Sequence, residues 1–134
     1  MHQSLAVLLA FAVPSCTARP SATDTLPQLR AAMEREVRTP EQSVKNSEMA
    51  DDVSRGRMLQ GLTRDEVSER LGKGDPCHRH PLCRERGFED DDWYYEIGRE
   101  SASYTVRYRP VLIVGFDRFG KAERTFVLRS APAP

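Results

Sequence analysis

Between residues 92 and 98 the chain alternates, with Trp93, Tyr95 and Ile97 on one side and Tyr94 and Glu96 on the other. A period of two predicts a half-buried strand. Residues 102–109 repeat the pattern, with Tyr104, Val106 and Tyr108 set against Thr105, Arg107 and Arg109, and predict a second strand that Pro110 interrupts. Residues 111–116 are apolar or glycine throughout, residues 125–128 are rich in β-branched and aromatic side chains, and Asp117-Arg118-Phe119-Gly120 lies before the latter. That is a hairpin signal, with Gly120 free to take positive φ. The apolar run does not say which of its faces is buried. Leu112, Val114 and Phe116 are expected to pack beneath Val67 and Leu71. Val111 and Ile113, together with Arg118 and Arg124, are then the candidate partner surface.

Upstream, the period lengthens to that of helices. Thr25-Leu26-Pro27-Gln28 reads as a helix start, followed by Leu29, Met33 and Val37 at a spacing of four. Thr39-Pro40-Glu41-Gln42 is a clearer start, because proline suits the first helical position and Gln42 stands three residues after the cap. Its helix carries only Val44, Met49, Val53 and Met58 at loose spacing, which predicts a thin stripe and a partly exposed element over residues 25–58. Thr63-Arg64-Asp65-Glu66 forms a capping box, and Leu71-Gly72 closes a short helix whose buried edge is Val67 and Leu71. Helices followed by strands predict an α+β two-layer sandwich, short N-terminal helices on a three- to four-stranded antiparallel meander.

Composition narrows the partners. Lys plus Arg and Asp plus Glu each total 20, so no global field draws in nucleic acid. The distribution is uneven: residues 61–98 hold 6 basic and 10 acidic side chains, net −4, and residues 99–134 hold 7 and 3, net +4. Residues 1–15 contain no Asp, Glu, Lys or Arg, and residues 5–13 are an apolar run of signal-peptide length, too short to span a bilayer. The run ends at Val13-Pro14-Ser15-Cys16, which resembles a lipoprotein cleavage site and makes Cys16 the candidate lipid attachment point. Residues 16–24 are small and polar and read as a tether, and residues 131–134 as a disordered tail.

Cys77-His78-Arg79-His80-Pro81-Leu82-Cys83 admits two readings. Two thiols and two imidazoles could ligate zinc, although structural zinc sites usually draw ligand pairs from separate stretches. An exported chain meets an oxidising compartment, which favours a Cys77–Cys83 disulfide. A thiol nucleophile would need a free, activated cysteine with a base, and only His78 and His80 are nearby. Glu89 to Asp92 lack the spaced ligands and glycine of a calcium loop and read as a solvated acidic turn. No catalytic constellation, cofactor motif, metal site or small-molecule substrate emerges.

The order of these signals is recognisable. A lipoprotein-like start, then Gly61-Leu62-Thr63-Arg64-Asp65-Glu66-Val67 ending at Leu71-Gly72, then Trp93-Tyr94-Tyr95 and Val-Gly-Phe-Asp-Arg-Phe-Gly-Lys, resembles the BamE (SmpA/OmlA) family of small outer-membrane lipoproteins. The resemblance covers residues 59–128, within a BamE-like domain of 59–130. The Cys77–Cys83 loop and the helical region before Leu59 lie outside the usual pattern. The resemblance implies a non-enzymatic, periplasm-facing module, lipid-anchored in the outer membrane. It also implies envelope protein partners, among them the machine that inserts β-barrel proteins. The alternative from the residues is a secreted, non-lipidated binding or inhibitor domain of similar fold.

Overall fold

The computed structural model describes Ala10, residues 21–102 and residues 109–129. Apart from Ala10, the signal run lies outside the described residues, as do Cys16 and the 131–134 tail.

Helix α1 (Ala22–Glu34) starts earlier than the Thr25 signal suggests, with Ser21 at the cap and its hydroxyl donating to Asp24 Oδ2 at 2.9 Å. Residues 22–24 thus belong to the helix and not to a tether. Pro27 sits inside it, removing one backbone bond. Burial of Thr25, Leu26, Leu29 and Ala32 at helical spacing outweighs that loss. Val37 is buried too, but from an extended connection: Val37 N donates to Arg99 O at 2.9 Å and Arg99 N to Arg35 O at 2.8 Å.

Helix α2 (Pro40–Arg55) has the expected capping box, Thr39 accepting from Gln42 N while the Gln42 side chain reaches back. Its buried stripe is only partly the expected one: Val53 is buried and Met49 and Met58 pack half-buried against the core. Ser43, Asn46, Ser47, Ala50 and Val53 face inward, and Val44 is exposed. Small side chains let α2 lie close to its neighbours, and Asn46 Nδ2 reaches Ile97 O at 3.4 Å. Helix α3 (Arg64–Leu71) carries the second capping box, buries Val67 and Leu71, and ends at Gly72 with φ 84°.

The sheet is antiparallel, in the order β1 (Asp75–Pro76), β2 (Trp93–Glu96), β3 (Val111–Phe116), β4 (Ala122–Leu128). Strand β2 pairs directly with β3, Trp93 opposite Val114 and Tyr95 opposite Leu112. The strand expected over residues 102–109 is therefore not inserted between them, and residues 103–108 lie outside those described. Among the described residues the fourth strand of the sheet is the two-residue β1. Between β3 and β4 the register slips at Gly115 and Phe116, a bulge beside the turn.

The fold is the expected α+β sandwich, and it buries both faces of its central strand. On one face Leu112 and Val114 join Trp93, Tyr95 and Ile97 against Leu26, Leu29, Ala50, Val53, Val67 and Leu71. The helices over residues 25–58 thus share one core with the later domain and are not a peripheral addition. On the other face Val111 and Ile113 lie under a cap made by a 3₁₀ turn (Cys77–Arg79), helix α4 (Pro81–Glu85) and Phe88. A fully buried aliphatic side chain contributes about 1.5 to 3 kcal/mol, so the cap is an energetic part of the fold.

Candidate functional site

The two halves of the sequence signature, far apart in the chain, meet in space. Gly61, at φ 80°, donates its N–H to Ala122 O at 2.8 Å, and Ala122 N donates to Leu62 O at 2.8 Å. Thr63 and Lys121 complete an antiparallel bridge. The same Thr63 caps α3, so helix start and hairpin are held by one short segment. The turn itself is tight. Asp117 Oδ1 accepts from Phe119 N at 2.8 Å and Lys121 N at 3.0 Å, and Asp117 N donates to Lys121 O at 2.8 Å.

Beside this junction Arg64 lies over the Phe116 ring at 4.0 Å and the Trp93 ring at 5.4 Å, and those rings meet edge-on at 5.1 Å. Its guanidinium donates to Asp91 O at 2.8 Å and faces Asp91 Oδ2 at 3.5 Å. Asp92 is 3% exposed, and its carboxylate accepts from Glu89 N at 2.8 Å and Phe116 N at 2.9 Å. The acidic turn is thus solvated only in part: its last residue is a buried brace between the turn and the end of β3. Neither Arg64 nor Asp92 stands out in the sequence. Four acids in a row give no sign of which one turns inward.

Cys77 and Cys83 form the disulfide, with Cα atoms 5.5 Å apart and both residues buried. In this state neither sulfur is a nucleophile or a metal ligand. His80 Nδ1 accepts from Leu82 N at 3.2 Å, capping α4, and its ring meets Tyr94 edge-on at 4.9 Å. Burial, with help from Asp75 and Glu96, pushes the Tyr94 phenol pKa up. Among the described residues no group of three or more His, Cys, Asp or Glu side chains is placed to hold a metal ion.

The proposed partner face needs correction. Val111 and Ile113 are buried beneath the cap and offer nothing to a partner. Arg124 is engaged: it lies over the Phe88 ring at 4.1 Å and donates to Gly87 O, while Arg86 lies over Phe126 at 4.5 Å. These two stacks fasten the cap to β4. Arg118 remains at the surface, over the ring of Phe119 at 4.8 Å. Phe119 is the exposed apolar feature of this end of the molecule. It is 73% exposed at the tip of a turn fixed by its own hydrogen bonds. The hairpin signal Asp117-Arg118-Phe119-Gly120 places Phe119 in the turn, but nothing in the sequence shows that its ring stands in solvent.

Comparison with protein-family models, curated proteins and solved structures gives no match to this chain. No described helix is long and apolar enough to cross a membrane.

Proposed function

We propose that this protein is a non-enzymatic bacterial envelope lipoprotein, held at the outer membrane through Cys16 and facing the periplasm. There it serves as an interaction or scaffold module in the assembly of outer-membrane β-barrel proteins. The observation that carries the reading is the pairing of Gly61 and Leu62 with Ala122, which joins the two motifs of the family resemblance into one unit. A buried disulfide suits an exported chain, because such bonds persist in oxidising compartments. The apolar run at residues 5–13 and the following cysteine supply the export and anchoring signals.

The test is metabolic labelling with a fatty-acid analogue and membrane fractionation of wild type and Cys16→Ala, followed by crosslinking in intact cells. The expected result is label in the outer-membrane fraction that disappears in Cys16→Ala, with crosslinks to the barrel-assembly machine. Export without label would favour the secreted binding or inhibitor domain. A cytoplasmic, unlabelled protein would overturn both.

A further inference from the structure

Beyond that role, the surface at the hairpin tip has the chemistry of a docking groove. It is an open depression of about 650 Å³ between the first turn of α3 and the β3–β4 turn, with Phe116 and Phe119 among its lining. Within the molecule the exposed phenyl ring gains only the stack of Arg118, and a mobile loop could fold it away. Here the Asp117 carboxylate and the backbone of the turn hold Phe119 outward. A rigid exposed aromatic beside a guanidinium has the character of an interaction anchor, since little ordering entropy remains to be lost on binding.

Charge selects the occupant. Arg64 and Arg118 line the groove with Glu89, Asp91, Asp117 and Glu123, two positive groups against four negative, net −2. Arg64 is matched by Asp91, and the Asp117 carboxylate is turned to its own backbone. Among the described residues the carboxylates of Glu89 and Glu123 meet no cation. Arg118 already rests on the Phe119 ring, which shows that the ring accepts a cation on its face. An anionic surface would be repelled by this set of charges; a cationic one would be drawn in.

We propose that this groove docks a basic, extended segment of a partner protein, seating an apolar or cationic side chain on Phe119 and directing Lys or Arg side chains to Glu89 and Glu123. The probes are two synthetic heptapeptides of the same alternating pattern, Lys with Val/Leu and Glu with Val/Leu, titrated into the purified chain with its disulfide intact. Binding is read by amide chemical shifts and by Trp93 fluorescence. The Lys peptide is expected to shift resonances at residues 89, 119 and 123, and its affinity to fall by about tenfold or more in both Phe119→Ala and Glu123→Lys. The Glu peptide is expected not to bind. Unchanged thermal melts of the two variants separate lost contact from lost fold. Equal binding of both peptides, shifts confined to other surfaces, or unaltered affinity in the variants would overturn the proposal. So would Phe119-dependent self-association or binding to anionic vesicles in place of the peptide. Because the assay uses isolated protein, its outcome is independent of whether Cys16 is acylated.

Discussion

Tyr95 points its ring into the helix-facing core and donates its hydroxyl to Gly72 O at 2.8 Å. Burial raises its pKa far above the ordinary phenol value. Above about pH 10 the unfolded chain loses this proton while the folded chain keeps it, so the native state binds more protons and stability falls as pH rises. Below that pH the tyrosine adds no slope. Tyr95→Phe is expected to flatten the alkaline loss of stability in urea titrations, leaving the smaller part due to Tyr94, whose pKa is also raised. A wild-type slope kept in full would refute the assignment. Asp92 gives a prediction at neutral pH. Asp92→Ala leaves Glu89 N and Phe116 N without their acceptor and should cost about 3 kcal/mol in urea unfolding, with Asp92→Asn costing less. Single residues like these were the least legible from sequence. The alternation predicted that Tyr95 is buried, but nothing local distinguishes Asp92 from Asp90 or Asp91.

At the scale of elements, capping was legible and packing was not. Thr39–Gln42 and Thr63–Glu66 are contained within four residues, so the sequence holds the whole interaction. Part of the buried stripe of α2 escaped because Ser43, Asn46 and Ser47 carry no hydrophobic signal; the value of the two serines lies in what they let approach. Residues 102–109 alternate as a strand should, yet β2 reaches past them to β3, which matches it along all four residues. Thr63→Ala is expected to cost about 1 kcal/mol, as cap losses do, and also to shift the amide resonances of Lys121 and Ala122. Thr39→Ala should cost a similar amount without touching the hairpin. In the cap, Cys77→Ser with Cys83→Ser removes a short loop constraint of about 2 kcal/mol. Since both sulfurs are buried, a dithiol should reduce the native protein only at its opening rate, measured by thiol labelling.

For the whole molecule, the question of which sheet face is buried had the answer that both are. An apolar residue at every position from Val111 to Val114 is the mark of a strand covered twice. Which segment covers the second face could not be read from sequence, because the cap is short and is held by a disulfide and two cation–ring stacks and not by an apolar run of its own. The division at residue 59 was equally illegible, since it followed a change in motif while the core ignores it. Leu26, Leu29, Ala50 and Val53 pack in the same cluster as Leu112 and Val114. A fragment of residues 59–134 is therefore expected to lack amide dispersion and cooperative melting, whereas a fragment of residues 21–134 should retain both.

The pairing of Gly61 and Leu62 with Ala122 also bears on when the chain can fold. Helices α1, α2 and α3 can form locally and pack on one another, but their shared core is completed only by β2, β3 and β4, and the junction that holds α3 waits for the β3–β4 hairpin. Contacts between distant segments form late, because the entropy of closing the loop must be overcome before they return any stability. A chain without the β3–β4 hairpin thus has no finished core, and remains threadable until that hairpin has emerged.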